Sequence, residues 1–243
     1  GVDPAGEACK TIAEMARDQG MKVGIVSSVT VDHATPAAYY AHVSDRGQYY
    51  DIGKQMSESG FDYIGGGKNR TYLTPEGKPT VPEIMADSGW TTINVNDNFK
   101  IRAHPRSTPL FAYQTGFASG AFEYAIDRKY SMKKEYTIAD YTKKGIQLLD
   151  NPNGFFMMIE GGKIDWAGHA NDAVANIHDT LAFDEAVMEA LEFYKEHPEE
   201  TLIVVTGDHE CGGLTLGWAG TGYQSAFDVF SKQKVSYEWF NKY

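Results

Sequence analysis

Two apolar runs, "GFFMMIEGG" from Gly154 and "TLIVVTGDHE" from Thr201, constrain this chain more than any other feature. Between them Val174, Ile177, Leu181, Met188 and Leu191 recur at helical spacing, predicting one long amphipathic helix from about Asn171 to Tyr194. Strand, helix, strand with apolar runs on both strands fits a crossover in a parallel sheet covered on both faces. The expected fold class is therefore α/β, a largely parallel central sheet with helices on both faces. In such sheets ligands bind beyond the carboxyl ends of the strands. Both runs end there in ionisable residues: Glu160 on the first, Asp208 and His209 on the second.

The rest of the chain supplies further units. Ile12, Ala13, Met15 and Ala16 lie in a stretch from Lys10 to Gln19 that stops at Gly20, as a helix closed by glycine does. "KVGIVSSVT" follows as a strand, Pro36–His42 and Gly47–Ser59 read as helices, and "FDYIGGG" as a short strand. Thr137 with Asp140 three residues on forms a capping-box pattern, opening a helix whose buried side carries Ile138, Tyr141, Ile146 and Leu149. Residues 68–134 hold Pro79, Pro82, Pro105 and Pro109 around one strand-like run, "WTTINVN", and read as a loop-rich inserted subdomain outside the core. A length of 243 residues fits a single domain spanning residues 1–243.

Thirty-three acidic against 22 basic residues give a net charge of −11, which argues against a nucleic-acid partner. Local phosphate binding remains open if metal ions invert the sign of a pocket. No run approaches the roughly 18 apolar residues of a membrane span. Cys9 and Cys211 either pair or stay free. The chain opens on "GVDP" with neither initiator Met nor leader pattern, and closes on "VSYEWFNKY" without a terminal element. Both ends are expected to be internal to a longer protein.

Asp165 and His169 stand four residues apart, and alone they would read as a surface ion pair. Asp208 and His209 at a neighbouring strand end change that reading, because three carboxylates and two imidazoles then share one sheet edge. "SSVTVDHAT" adds hydroxyls and His33 past a third strand. Like charges this close raise one another's pKa unless a cation compensates. Carboxylate with imidazole favours zinc, and a glutamate beside a threonine hydroxyl favours magnesium. Glu160 alternatively caps the crossover helix, Thr35 alternatively serves as an N-cap, and Arg46 as a solvated cation. His33 divides evenly between site and structure, while His42, His104, His178 and His197 are assigned to structure or surface.

Taken in order, "VDHATPAAYYAHVSDR", "FFMMIEGGKIDWAGHAND" and "VVTGDHE" resemble the phosphate-binding and metal-binding segments of the alkaline phosphatases, over nearly the whole chain. The resemblance implies that Asp165 and His169 bind a first zinc, Asp208 and His209 a second, and Glu160 and Thr35 a magnesium. It makes Arg46 the guanidinium that grips two phosphate oxygens, with His33 and Trp166 tuning the third metal and the phosphate indirectly. The implied activity is hydrolysis of phosphate monoesters through a phosphoserine, the two zincs about 4 Å apart flanking the phosphoryl group. Small phosphate esters and inorganic phosphate would be its partners, with a homodimer and a periplasmic or extracellular location in the full-length protein.

Two departures accompany the resemblance. The family's first strand, with a shared metal-binding aspartate and the serine nucleophile, has no counterpart here, nor has a downstream histidine ligand of the first zinc. The chain is accordingly expected to be the central portion of such an enzyme and inactive alone. A sulfatase, phosphodiesterase or phosphoglycerate mutase of the wider superfamily is the rival within the class. A non-catalytic metal-binding or phosphate-binding module is the rival outside it.

Overall fold

The computed structural model describes residues 1–70, 74–95, 108–116, 120–131 and 135–242. Its strands are β1 (Lys22–Thr30), β2 (Tyr63–Gly67), β3 (Thr91–Asn94), β4 (Leu110–Gln114) and β5 (Phe155–Glu160). They form one sheet in the order β3-β4-β2-β1-β5, with every pairing parallel. Alternate side chains feed two cores, as the two-residue period of a strand requires. Val23, Ile25, Ile64 and Phe111 pack against α1 (Ile12–Asp18), α3 (Tyr49–Glu58) and α4 (Val81–Asp87) through Ala13, Ile52, Met56 and Met85. On the opposite face Val26, Tyr63, Leu110 and Ala112 meet Tyr141, Leu148 and Leu149 of α5 (Ile138–Leu149) and Ala186 of α7 (Ala173–Glu196). Capping boxes at Thr11/Glu14, Thr80/Glu83 and Thr137/Asp140 start three of these helices. Loss of such a cap costs about 1 kcal/mol.

Several expectations need correction. The described residues of 68–134 do not stand outside the core: they supply α4, β3 and β4, with Met85, Trp90, Leu110 and Phe111 buried. The prolines misled because they sit where helices and strands tolerate them, Pro82 in the first turn of α4 and Pro109 immediately before β4. His104 lies outside the described residues. The helix expected over Pro36–His42 is only α2 (Ala34–Ala37), after which the chain curls so that Tyr40 Oη donates to the Val31 carbonyl.

The long helix expected from about Asn171 to Tyr194 is α7, and a separate short helix, α6 (Gly162–His169), precedes it, with Asn171 between them in the left-handed region at φ 54°. Asp172 caps α7, its carboxylate accepting from the Ala175 N–H. The buried face of α7 differs from expectation. Val174, Ala175, Asp179, Ala182 and Ala186 face inward, whereas Ile177, Leu181 and Met188 are exposed. Small residues on the inner face let α7 lie close to α5 and α6. The second apolar run, 201–210, forms no strand, and Leu202 is 88% exposed. β5 pairs with β1 alone among the described residues, so its side chains are half-buried rather than fully covered.

Asp179 makes the fold pH-sensitive. It is buried on α7 and accepts the Ala125 N–H at 3.0 Å. Burial pushes its pKa up to about 6, against the opposing pull of that hydrogen bond and of Arg128 and Lys163. A folded-state pKa above the unfolded one means the native state holds the extra proton between the two values. Stability therefore falls as pH rises through that window, by ~3 kcal/mol for a shift of about two units. Asp179→Asn keeps an acceptor for Ala125 and never ionises. It is expected to stabilise the protein at pH 8 and change little near pH 4, read as urea midpoints at the two pH values. An equal gain at both would assign the effect to packing instead.

Candidate metal centre

The site lies past the carboxyl ends of β1 and β5, where Ser27 and Glu160 stand in register across the parallel pair. The Ser27 hydroxyl donates to Glu160 Oε2 at 2.5 Å, and Thr35 hydrogen-bonds the same carboxylate. Burial raises the Glu160 pKa, the two hydroxyls oppose that, and the charges of Asp208 and Asp165 raise it further. The residue preceding α6 is Gly161 with no side-chain cap, so Glu160 does not cap that helix. Thr35 lies inside α2, whose N-cap is His33, and so is not a cap either.

Asp165 on α6 is the centre of convergence. Its Oδ1 lies 3.2 Å from His169 Nε2 and 3.5 Å from His209 Nε2, and His209 Nε2 lies 3.8 Å from Asp208 Oδ2. The two imidazole centroids are 6.3 Å apart. Despite these approaches Asp165 Oδ1 is buried with no hydrogen bond. A buried, unsatisfied carboxylate oxygen costs about 1–3 kcal/mol or more if left so. A divalent cation shared with the surrounding nitrogens removes that cost and reverses the mutual repulsion of Glu160, Asp165 and Asp208. The donor set therefore fits the metals that the sequence suggested.

Asp208 and His209 reach Asp165 from an irregular segment, not from a strand end. What brings them there is a close backbone approach to α6. A Cβ at Gly168 would stand 2.6 Å from Cys211 Sγ and 2.8 Å from the Cys211 carbonyl oxygen, and one at Gly212 would stand 2.2 Å from the Gly168 carbonyl oxygen. Gly212 also takes φ 108°, a conformation that side chains disfavour. Cys211 thereby sits under the cluster, its thiol 3.4 Å from the Asp165 carbonyl oxygen. Burial, then Asp165, Glu210 and Asp208, push its pKa up in the absence of a cation.

His33, Trp166 and Arg46 form a second group beside the first. The His33 and Trp166 rings meet edge-on at 5.8 Å, and Arg46 Nη2 lies 3.1 Å from His33 Nε2. Burial, followed by the charges of Arg46 and Arg70, lowers the His33 pKa to about 4, and Asp165 opposes this. His33 is thus neutral at ordinary pH and able to accept a hydrogen bond from the guanidinium. No carboxylate pairs with Arg46 among the described residues. The other described histidines lie elsewhere. His42 is 2.9 Å from Glu14 Oε1, His178 is exposed on α7, and His197 stacks on Phe193 with centroids 4.5 Å apart.

The nine candidate site residues, Thr35, Glu160, Asp165, His169, Asp208, His209, His33, Trp166 and Arg46, thus gather at this edge, with Glu160 and His33 each feeling the charge of Asp165. Three others take part that the sequence reading did not weigh for these places: Ser27, Gly168 and Cys211. Only Cys211 carried a signal, two residues beyond His209.

The sequence model of the alkaline phosphatase family matches residues 1–79 and 75–238. Among curated proteins, alkaline phosphatase 4 of Bacillus subtilis is 31% identical over 243 residues, covering 97% of this chain and 50% of its own length. The repressible alkaline phosphatase of Saccharomyces cerevisiae is 31% identical, with 88% and 42% covered. The chain spans about half the length of the curated relatives it matches. Among solved structures, a cold-active alkaline phosphatase from Shewanella sp. superposes with TM-score 0.81 at 29% identity, covering 97% of this chain and 55% of that one. A mutant of the alkaline phosphatase of the Antarctic bacterium TAB5, solved with magnesium in the site designated M3, gives TM-score 0.73 at 32% identity, with 89% and 60% covered.

Proposed function

The chain belongs to the alkaline phosphatase family, and from that premise we propose that the whole protein hydrolyses phosphate monoesters through a phosphoserine, with residues 1–243 forming a single, incomplete α/β domain of it. The observation that carries this reading is the buried, hydrogen-bond-free Asp165 Oδ1 between two imidazoles. In it, Asp165 and His169 hold one zinc, Asp208 and His209 a second, and Glu160 and Thr35 a magnesium. When bound, these cations supply Lewis acidity to the phosphoryl oxygens and offset the carboxylate charge.

The chain's own residues then have separate tasks. Arg46 donates through its planar fork to two non-transferring phosphoryl oxygens and so fixes the ester for in-line attack. Neutral His33 accepts from Arg46 at 3.1 Å and holds the guanidinium in place, with Trp166 packed against its ring. Ser27 and Thr35 orient Glu160 by hydrogen bonding. A serine from outside residues 1–243 attacks phosphorus, the ester oxygen leaves as the alcohol, and water then releases inorganic phosphate. The same reading gives small phosphate esters as substrates, a homodimer, and a periplasmic or extracellular location. No helix among the described residues is long and apolar enough to cross a membrane.

The test uses the full-length protein and a chromogenic phosphate ester, with and without chelator, alongside metal analysis. Arg46→Lys is expected to keep the metal content and weaken inhibition by phosphate roughly 10- to 100-fold, since an ammonium cannot reproduce two charge-assisted hydrogen bonds. Unchanged phosphate inhibition would return Arg46 to the surface. Preference for a sulfate ester over the phosphate would favour the sulfatase rival.

A further inference from the structure

Arg70 lies at the same edge of the sheet and has no part in the reading above. β2 runs parallel beside β1 and ends at Gly67, so its carboxyl end opens where β1 leads to His33 and β5 delivers Glu160. Arg70 follows shortly after, and Asp32, 1% exposed, fixes its backbone: Asp32 Oδ2 accepts the Arg70 N–H at 2.5 Å. The half-buried guanidinium lies over the ring of Tyr49, with Cζ 4.2 Å from the centroid. Tyr49 opens α3 and closely follows Arg46, whose Nη2 is 3.1 Å from His33 Nε2. His33 in turn follows Asp32 directly in the chain. The contacts therefore close a ring, Asp32 to His33 to Arg46 to Tyr49 to Arg70 and back, with two guanidinium groups on it. His33 feels the charge of both, together with that of Asp165.

Acidic residues outnumber basic ones 33 to 22, so a cation in this chain has many carboxylates to choose from. Among the described residues none lies within ion-pair distance of Arg46 or Arg70. Stacking on Tyr49 fixes the plane of Arg70 and leaves its N–H donors without a protein acceptor among the described residues. A planar fork held in that way suits an anion arriving from outside. We infer that Arg70 is a second anion anchor, binding a further phosphate on the alcohol portion of the ester while Arg46 holds the phosphoryl group to be cleaved. The inference rests on the phosphomonoesterase reading and narrows it: the favoured substrates are esters of alcohols that already carry a second phosphate. Arg46 cannot serve both groups, since its fork is spent on two oxygens of the first. The second phosphate keeps all its bonds during the reaction. Arg70 therefore holds it equally in the ground state and the transition state, which lowers KM rather than raising kcat.

The test compares paired substrates on the full-length protein, the monophosphates and bisphosphates of linear diols of increasing length. At one length the bisphosphate is expected to have the higher kcat/KM by on the order of 10-fold, the effect of charge-assisted hydrogen bonds to one added group. The difference should lie in KM and shrink as salt is added. Arg70→Gln should bring the two kcat/KM values together. Arg70→Lys should keep part of the preference, since an ammonium retains the charge but not the planar stack. In the unmutated protein the bisphosphonate of that length should inhibit hydrolysis of the chromogenic ester more strongly than the matching monophosphonate, a readout that survives if Arg70→Gln folds poorly. An equal preference in Arg70→Gln and the unmutated protein, or no preference at any length, would overturn the anchor and leave the phosphomonoesterase reading standing. No hydrolysis of either member of any pair would overturn that reading and this inference with it.

Discussion

Residues 1–243 on their own are expected to hydrolyse a chromogenic phosphate ester no faster than buffer containing the same zinc and magnesium. Supplying the serine-bearing segment in the same polypeptide should then raise turnover by on the order of a million-fold, the usual cost of a missing nucleophile. The reason lies in the hydroxyls that this chain brings to the sheet edge. Ser27 is fully buried and donates to Glu160, Ser28 accepts the Lys163 N–H at 3.0 Å, and Thr30 is fully buried. Ser27 and Ser28 are held by hydrogen bonds and all three are buried, whereas His169 and His209 open to solvent where an ester would enter. Polarising a phosphoryl group does nothing for these oxygens if they cannot reach phosphorus in line. Chelator-sensitive turnover by the 243-residue chain, at confirmed mass, would overturn this expectation and make Ser27, Ser28 and Thr30 the residues to mutate.

The parts of the fold legible in the sequence were those set by local chemistry. Thr137 and Asp140 announced α5, Gly20 closed α1, and the apolar runs of β1, β2 and β5 marked strands because each is covered on at least one face. What was misread depends on neighbours that a local pattern does not name. "TLIVVT" has the composition of a buried strand, yet burial of a strand is a property of what lies beside it, and Leu202 faces solvent here. Pro82 and Pro109 sit at element starts, which looks the same in sequence as a loop. The candidate ligands drew notice because carboxylates and imidazoles gathered at one sheet edge are costly without a cation. Gly168 was not, because its role is the space it leaves for a segment more than forty residues away.

Gly168→Ala should separate stability from metal binding in opposite directions. Alanine is the better helix former by up to about 1 kcal/mol, and Gly168 carries no left-handed φ that alanine would strain. The fold should therefore be no less stable than before. The added Cβ, however, would stand 2.6 Å from Cys211 Sγ, which can swing aside, and 2.8 Å from the Cys211 carbonyl oxygen, which is backbone and moves only with its segment. Residues 208–212 must then lift from α6, carrying Asp208, His209 and Cys211 away from Asp165 while His169, on α6 itself, stays. Zinc affinity measured by competition with a chromogenic chelator should drop on the order of 100-fold, as for disruption of ligand positioning, with the urea midpoint unchanged or raised. Because lifting the segment removes Asp208 and His209 together, adding His209→Ala to Gly168→Ala should cost little more than Gly168→Ala alone. Full zinc affinity in Gly168→Ala would show that the approach of this segment to α6 does not assemble the centre.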